Sequence, residues 1–356
     1  MKKLNVAIIG QGRSGYWIHG KYFLTDHGKE HFNVVAVVDY LEGRRKNAEE
    51  VFGCDTYEDY RELFNRNDID FVVVSTYSHL RFPVVMDLLE HNMNVVAEKP
   101  LAKYGMEVEK MINASKKSGA MLTVFQQSRL APYYRRVKEI IASGVLGNIQ
   151  HISLNFSGYA RRWDWQTTQS MYGGELLNTG PHPMDQALDL INTPGDTLPN
   201  VFSVLKRVNV TGDAEDFVKV LLTYPDRPLI EVEINRCNAY SDYVYRICGD
   251  RGTFECTIGA AKWKYFDYKP IPELQMETLI GEDGVSPSYC SEELEWHEFE
   301  EEFNGDAFNS APAQYYQNIY DHITNGIELA IKPEEVLKQI RVAELIHAQN
   351  PLDVKY

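Results

Sequence analysis

Cysteine is scarce in this chain of 356 residues, which contains only five and no CxxC pair. Because their number is odd and their positions are scattered, neither a disulfide framework nor a structural zinc site is predicted. Free, mostly buried thiols are typical of a reducing compartment. We therefore expect a cytoplasmic protein without a metal site; its cysteines are Cys54, Cys237, Cys248, Cys256 and Cys290.

The sequence also lacks long apolar runs, internal repeats and low-complexity segments. No run approaches the ~20 apolar residues that a membrane-spanning helix needs. The N-terminal MKKLNVAIIGQG is only superficially like a signal peptide, because its apolar stretch ends at glycines after about six residues. We interpret that stretch as a first β-strand and expect no membrane partner.

Positive charge is in short supply, with 36 Lys and Arg against 51 Asp and Glu and a net charge of −15. A strongly acidic chain repels phosphate backbones, so nucleic acid is not an expected partner. The hydrophobic share of 44% and the charged share of 24% are ordinary for a globular protein. The length predicts two domains, each able to bury a core.

A glycine-rich turn follows the first predicted strand. The apolar run LNVAII at 4–9 leads directly into GQGRSG, and residues 16–24 can continue as a helix. In such a turn the first glycine permits the sharp bend, the second admits a pyrophosphate and the third lets the helix pack on the strand. The helix N-terminus adds free N–H groups. The pattern predicts a dinucleotide site formed by Gly10, Gln11, Gly12, Arg13, Ser14 and Gly15.

An acid ends the second apolar run. Asp39 follows the run at 34–38 and lies 24 residues after Gly15 (39 − 15), near the spacing of about 20 expected for a ribose-binding carboxylate. Such a carboxylate accepts hydrogen bonds from a ribose diol and repels a 2′-phosphate, which favours NAD. Arg44 and Arg45 could instead reach a phosphate, so NADP remains the alternative. The alternative interpretation is that no cofactor binds, and that a glycine turn and an acid at a strand end occur together by chance.

Strands and helices continue to alternate as far as residue 125. Further strands are predicted at 70–75, 94–97 and 121–125, and helices at 44–52, 79–91 and 105–118. This alternation indicates a parallel sheet with helices on both faces. Ligands bind such sheets at the carboxyl ends of the strands. That edge adds to the candidate residues Thr76, Tyr77, His79, Glu98, Lys99 and Gln127.

Lys99 is singled out by its neighbours. It follows a buried strand, stands beside Glu98 and immediately precedes Pro100. A residue before proline is restricted to extended backbone geometry, which would hold Lys99 at the mouth of the predicted crevice. A surface lysine in a loop is the other interpretation.

After residue 125 the pattern changes to strands with alternating polarity, typical of an antiparallel sheet with one solvated face. Helices are predicted at 133–143, after His182, and at 312–325 and 333–349. The acidic segment 281–309 is predicted to be a solvated loop with a strand. We thus predict an α/β fold with a Rossmann domain at 1–125. A second, α+β domain with an open-faced, mostly antiparallel sheet is predicted at 126–356; its strands lie at 149–157, 202–210, 216–224, 229–235, 242–248 and 252–257.

Taken together, the motifs resemble the Gfo/Idh/MocA family of NAD(P)-dependent oxidoreductases over nearly the whole chain. AEKPLA at 97–102 is the most specific element, and STYSH, GVLGNIQHI and GGELLNTGPHPMD also occur in the family's order. The resemblance implies an active-site role for Lys99. It also implies a homodimer or homotetramer formed through the open-faced sheet, and a C-terminal helix at 333–349 that returns towards the first domain.

His182 matches the histidine of the family's DxxxH signature, whereas Asn178 stands where the signature has an acid. The resemblance implies that His182 and Lys99 meet, the former exchanging a proton with a hydroxyl and the latter polarising its oxygen. Asparagine can hydrogen-bond substrate but carries no charge. Its presence should therefore disfavour the protonated form of His182. A helix-start histidine that caps or packs is the alternative.

The loop GYARRWDWQ at 158–166 supplies substrate-binding candidates, Arg162 and Trp163. Aromatic faces stack on sugar C–H surfaces and arginine donates hydrogen bonds in a fixed geometry, which would suit a polyol. The tryptophans could equally be core or interface residues. Asp185 could bind substrate, support His182 or complement the helix dipole. Weaker candidates are Gln127, Arg129 and Tyr133.

These features predict an enzyme, an NAD(P)-dependent oxidoreductase that transfers a hydride between nicotinamide and a sugar, inositol or related polyol. Two alternatives use the same fold. One is an NAD-retaining glycosidase that acts by transient oxidation and elimination. The other is a non-catalytic regulator that senses dinucleotide or sugar, against which the presence of both Lys99 and His182 argues.

Overall fold

Six parallel strands form the first sheet. The computed structural model describes residues 2–274, 280–281, 283–286, 291–305 and 310–356. The strands run in the order β3-β2-β1-β4-β5-β6, so the order changes direction beside β1, where such sheets open a crevice. This confirms the predicted fold of the first domain; the strands are β1 (Leu4–Ile9), β2 (Phe32–Val38), β3 (Asp55–Tyr57), β4 (Phe71–Val74), β5 (Val95–Ala97) and β6 (Leu122–Val124).

Helices connect these strands. The chain leaves β1 through a π-helical segment, Gly15–Gly20, and a 3₁₀ turn lies at Tyr60–Asn65. All residues of β4, β5 and β6 are buried, as expected for a sheet covered on both faces. The α-helices of this region are α1 (Lys21–Phe23), α2 (Asp26–His31), α3 (Glu42–Phe52), α4 (Ser78–Glu90) and α5 (Gly105–Ser118).

An eight-stranded sheet forms the second domain, in the order β14-β13-β12-β11-β7-β10-β9-β8. Only the β7–β10 pair is parallel, which confirms the predicted mostly antiparallel sheet. The acidic segment contributes its edge strand. The strands are β7 (Ile149–Asn155), β8 (Asn200–Lys206), β9 (Phe217–Thr223), β10 (Leu229–Asn235), β11 (Tyr245–Gly249), β12 (Gly252–Cys256), β13 (Ala260–Phe266) and β14 (Trp296–Glu302).

The two faces of this sheet differ in polarity. The inner face packs against α6 (Pro132–Ser143), the short α7 (Glu175–Asn178) and α8 (Pro181–Ile191). On the outer face, Lys219 pairs with Glu233 at 2.6 Å. Phe202 lies on the same face and is 65% exposed. That this face joins subunits stays a prediction.

The C-terminal helices belong to both cores, and the helix expected at 333–349 does return towards the first domain. On α9 (Ala311–Asn325), Tyr315 and Tyr316 lie in the core of the first domain, where Tyr316 stacks on Tyr22 with ring centroids 4.6 Å apart. The next helix, α10 (Pro333–Gln349), buries Val336 and Ile340 in the first core. Its following turns bury Val342, Ala343 and Ile346 in the second core. Sequence order alone does not show which core an apolar helix face joins.

Gln339 on α10 links the two domains through buried hydrogen bonds. Its Oε1 accepts from Gln126 Nε2 at 2.7 Å, at the end of the first sheet. Its Nε2 donates to the Pro181 carbonyl oxygen at 2.9 Å, at the start of α8. Because all three residues are buried, these bonds hold the start of α8 in register with the first sheet.

Membrane spans, metal-binding clusters and disulfides are absent from the ranges that the structure describes. No helix there combines the length and apolar composition needed to cross a bilayer. No group of three or more His, Cys, Asp or Glu side chains in those ranges could hold a metal ion. Cys54, Cys237, Cys248 and Cys256 are free thiols. Cys290 lies outside the described residues.

Replacing Gln339 with methionine should destabilise the protein without changing side-chain size. The substitution leaves Gln126 Nε2 and the Pro181 oxygen buried and unpaired, and each such group costs about 1–3 kcal/mol. Thermal unfolding of Gln339→Met and of the exposed control Gln150→Met measures the difference. Equal melting temperatures for both variants and the wild type would contradict the assigned role of Gln339.

Candidate active site

The glycine turn after β1 has the geometry that a dinucleotide site requires. Gly10 has φ +89°, and a Cβ there would lie 2.7 Å from the Ser75 carbonyl oxygen. A Cβ at Gly15 would lie 1.7 Å from the Gly10 oxygen, so only glycine permits the close packing of helix on strand. Beside Gly12 the nearest atom would be Arg44 Nη1 at 3.8 Å, which leaves room for a ligand. Arg13 and Ser14 lie on this turn, Arg13 being exposed.

Asp39 is buried at the carboxyl end of β2, with both carboxylate oxygens engaged. Oδ2 accepts from the Gln11 backbone N–H at 2.7 Å, and Oδ1 from that of Leu41 at 2.9 Å. Arg44 Nη1 lies 3.3 Å from Oδ2. The carboxylate is therefore fixed beside the glycine turn, where the partly exposed Arg44 pairs with it.

Buried polar atoms without partners gather at the carboxyl edge of the first sheet. Buried polar groups normally have hydrogen-bond partners, so such a group of orphans fits a polar ligand. Burial lowers the pKa of one of them, His79. Tyr77, next to it, hydrogen-bonds Tyr40, and this bond raises the Tyr77 pKa. The unpaired atoms include Gln11 Nε2 and Oε1, Ser75 Oγ, Thr76 Oγ1, His79 Nδ1 and Gln127 Oε1.

Glu98 anchors the segment that carries Lys99. Its Oε2 accepts from the Lys99 backbone N–H at 3.0 Å, and its Oε1 lies 3.2 Å from His19 Nε2. His19 Nδ1 in turn lies 2.6 Å from the Tyr316 hydroxyl. Burial opposes ionisation of Glu98, but the His19 hydrogen bond and the charges of Lys99 and Arg81 lower its pKa to about 2. The carboxylate thus stays charged beside the lysine.

Lys99 reaches across to the second domain. Its Nζ donates to the Asn178 carbonyl oxygen at 2.7 Å. Burial lowers the pKa of Lys99, although Glu98 opposes the shift and Arg81 adds to it. Two residues 79 positions apart in sequence, predicted to share a site, are therefore in direct contact.

His182 lies at the first turn of α8, close enough to Lys99 to feel its charge. Its Nδ1 lies 2.9 Å from Ser128 Oγ. Burial and the Lys99 ammonium lower the His182 pKa to about 3, against the effect of Glu98. The imidazole is therefore neutral at neutral pH, with Nδ1 engaged by Ser128. The direction agrees with the expectation from Asn178, but the main cause is burial.

Asp185 is buried on α8 and pairs with Arg129. Arg129 Nε donates to its Oδ2 at 2.8 Å, and Arg129 Nη2 forms a second short bond to its other oxygen. Arg129 Nη1 also pairs with Glu335 of α10 at 2.7 Å. Both Asp185 oxygens are thus occupied by Arg129, which favours the predicted supporting role over contact with substrate.

The loop between β7 and α7 closes the other side of the cleft. Trp165 packs edge-on against Tyr77 of the first domain, with ring centroids 5.0 Å apart. Trp163, the predicted substrate-binding tryptophan, is instead 79% exposed, and the structure does not bring it to the other candidates. Arg162 pairs with Asp164 at 2.9 Å and also donates to Gln166.

A buried acid near Lys99 was not among the predicted residues. Glu175 accepts from Arg236 Nη2 at 2.7 Å and from Thr179 Oγ1 at 2.5 Å. Burial opposes ionisation, but these bonds keep the Glu175 pKa below its usual range. It therefore carries a charge within reach of Lys99, one turn before Asn178.

The sequence analysis did not identify four residues near the site: Ser128, Gln166, Glu175 and Arg236. Glu175 lies in the quoted motif and Gln166 in the quoted loop, so their positions alone were a usable signal. Ser128 follows Gln127 at a strand end, which is a weaker signal. Nothing in the sequence relates Arg236, at the end of β10, to a residue 61 positions earlier.

Comparison with known families agrees with this geometry. Residues 4–126 match the family model described as the oxidoreductase family with an NAD-binding Rossmann fold. Residues 134–255 match the model of the GFO/IDH/MocA C-terminal domain. The two matched segments contain the glycine turn, Asp39, Lys99, Asn178 and His182.

Individual relatives are distant. The scyllo-inositol 2-dehydrogenase (NADP(+)) IolW of Bacillus subtilis is 25% identical over 356 residues, covering 96% of this chain and 92% of that protein. The 2,7-anhydro-N-acetylneuraminate hydratase of Mediterraneibacter gnavus is 24% identical, covering 72% and 67%.

Among solved structures, GenD2 from gentamicin A biosynthesis, in complex with NAD, has a TM-score of 0.77 at 18% identity and covers 98% of this chain and 94% of its own. At this identity the likeness shows the fold. The fold, the cofactor crevice and both family matches agree, and the chain belongs to the GFO/IDH/MocA family of NAD-binding oxidoreductases.

Proposed function

We propose that this oxidoreductase transfers a hydride between NAD and a sugar, inositol or related polyol. The observation that carries the proposal is the 2.7 Å hydrogen bond from Lys99 Nζ to the Asn178 oxygen. It holds the lysine against the residue four positions before His182, at the edge of the sheet where the cofactor crevice lies. The similarity to a scyllo-inositol 2-dehydrogenase supports a polyol substrate. Nicotinamide, when bound, supplies the hydride donor or acceptor.

His182 serves as the acid–base residue. Its neutral imidazole can take a hydroxyl proton at Nε2, while Ser128 Oγ holds the ring through Nδ1. Lys99 Nζ has two further N–H donors besides the one engaged by Asn178. These donors polarise the reacting oxygen and stabilise the negative charge that develops on it.

Asp39 sets the cofactor preference. Its fixed carboxylate can accept hydrogen bonds from a ribose diol and repels a 2′-phosphate, which favours NAD. Arg44 at 3.3 Å would attract such a phosphate if the carboxylate were absent. The proposed preference for NAD therefore depends on one side chain.

A second candidate function is an addition or elimination that uses NAD only transiently. The similarity to a hydratase of an anhydro sugar favours it. The same Lys99 and His182 would serve both reactions, because each moves a proton at a carbon-bound oxygen. Following NADH absorbance and sugar products together on a panel of polyols and glycosides separates them, since only the dehydrogenase accumulates NADH.

Lys99→Met should lower kcat by about 10²–10³-fold on a polyol that the wild type oxidises, because a preorganised donor to the reacting oxygen is lost. Lys103→Met is the matched control, since that lysine packs over Tyr104 and Tyr172 outside the cleft. NADH absorbance measures both variants. If Lys99→Met turns over like Lys103→Met, the assigned role of Lys99 is wrong.

The pH profile of kcat/KM should retain activity well below the ordinary histidine pKa of about 6.5. With a His182 pKa of about 3, the base form persists in acid and is lost only as the pH falls towards that value. His182→Asn should lower kcat/KM by about 10²–10⁴-fold. An acid limb near pH 6.5 that vanishes in His182→Asn would contradict this proposal.

Asp39→Ser should shift the preference from NAD towards NADP. It removes the acceptor for the ribose diol and leaves Arg44 free to attract a 2′-phosphate. A charged hydrogen bond contributes about 1.5–3 kcal/mol, so the ratio of the two Kd values should change about tenfold or more. Titration of both cofactors measures it. Adding Arg44→Gln should abolish the gain for NADP, and an unchanged ratio in Asp39→Ser would refute the prediction.

A further inference from the structure

Four side chains form a hydrogen-bonded line that ends at the catalytic cleft. Asp164 accepts two bonds from Arg162, from Nε and from Nη2, both at 2.9 Å. Arg162 Nη2 also donates to Gln166 Oε1. Gln166 Nε2 then donates to Asn178 Oδ1 at 2.9 Å. The last member is the residue that replaces the acid of the family signature.

The hydrogen-bonding chemistry of Arg162 and Gln166 determines the orientation of the Asn178 amide. An arginine guanidinium can only donate hydrogen bonds, so the atom of Gln166 that faces it must be the carbonyl oxygen. The amino group of Gln166 must then face Asn178, where only an oxygen can accept from it. Asn178 consequently turns Oδ1 towards Gln166 and Nδ2 the other way, and no described residue accepts from Nδ2.

The start of the line is held firmly. Besides binding Arg162 through both oxygens, Asp164 caps the 3₁₀ turn Trp165–Thr167 by accepting from the Gln166 backbone N–H at 3.0 Å. Arg162 Nη1 also lies 3.9 Å from Glu175. Arg162 is thus held by two bonds to Asp164, with the Glu175 carboxylate nearby.

We propose that Arg162 and Gln166 are positioning residues that fix the Asn178 amide with its Nδ2 donor facing the Lys99–His182 cleft. This inference deepens the proposed function and rests on it for the location of substrate. Where an acid would offer an acceptor, this cleft offers a donor. It accommodates a substrate oxygen that carries no proton, as in a ketone or a carboxylate, next to the reacting carbon, whereas an acid there would accept only from a hydroxyl.

The same line explains why an asparagine suits this position. An aspartate at 178 could also accept from Gln166, but its second oxygen would face the cleft as an acceptor and repel a carbonyl or carboxylate oxygen. With asparagine, Lys99 Nζ and Asn178 Nδ2 both present N–H groups. His182, close by, is neutral and adds no charge to the cleft.

Gln166→Glu tests the orientation directly, because it changes one amino group to an oxygen at constant size. Its carboxylate can only accept, from Arg162 and from Asn178, so the Asn178 amide must turn around and direct Oδ1 into the cleft. Protein labelled with ¹⁵N-asparagine and loaded with NAD, its Asn178 side-chain signal identified by its loss in Asn178→Asp, shows this by NMR. We expect rapid solvent exchange of the Nδ2 protons in the wild type and about tenfold slower exchange of one of them in Gln166→Glu.

Two further variants make the result decisive. Gln150→Glu makes the same chemical change at an exposed position of β7 and should leave the Asn178 signal unchanged. Gln166→Met removes both hydrogen bonds without adding charge and should leave exchange rapid. An Asn178 proton that is already protected in the wild type and loses that protection in Gln166→Met would overturn the proposal.

Ligand binding tests the consequence for selectivity. The NAD-loaded protein is titrated with two pairs whose members differ in the oxidation state of one carbon, myo-inositol with its 2-keto derivative and D-glucose with D-glucuronate. Gln166→Glu should shift the Kd ratio within a pair towards the hydroxyl member by about tenfold, while Gln150→Glu leaves it unchanged. An unchanged ratio in Gln166→Glu would refute the selectivity. Failure of every ligand to bind would count against the polyol function, while the exchange measurement still decides the orientation of Asn178.

Discussion

The contact of Lys99 with Asn178 is the interaction on which the site depends. This 2.7 Å hydrogen bond joins the segment after β5, at the cofactor-binding edge of the first sheet, to the end of α7 in the second domain. Neither half of the chain has a complete site alone, because the lysine belongs to the first domain and the histidine to the second. Burial makes this contact consequential, since an ammonium taken from water needs fixed acceptors, and Asn178 and Glu98 supply oxygen and charge.

The C-terminal helices maintain that contact. A hinge between two separately packed domains would let Lys99 and His182 part, whereas α10 is buried in both cores at once. Gln339 adds two buried hydrogen bonds, one to each domain, close to the start of α8. Arg129, which follows β6, pairs with Asp185 of α8 and Glu335 of α10, and so links the same regions as Gln339 does. Geometry at His182 is thus supported by residues that never face a ligand.

A neighbouring carboxylate supplies negative charge near the position where the family signature has an acid, but it does not take the place of that acid. Glu175 keeps a negative charge nearby, but its Oε2 is engaged by both Arg236 and Thr179. His182 is neutral because burial and Lys99 disfavour its protonated form. The cleft therefore combines one cation with a neutral base. In the line from Asp164 to Asn178, the charged Asp164–Arg162 pair orients the neutral Asn178 amide through Gln166. A carboxylate at position 178 could not present an N–H donor.

Local patterns in the sequence determined most of the elements and the cofactor edge. GxGxxG followed by an acid, alternating strands and helices, and EKP all act through neighbours in the chain, where backbone sterics and hydrogen bonding decide. Short elements such as β3, α2 and β13 were not predicted, because segments of three to seven residues carry little periodic signal. Tertiary structure alone decided that Tyr316 joins the first core, that Trp165 rather than Trp163 meets Tyr77, and that Gln166 orients Asn178. Those outcomes depend on contacts between distant segments and on which atom of an amide faces which partner, and a linear pattern records neither.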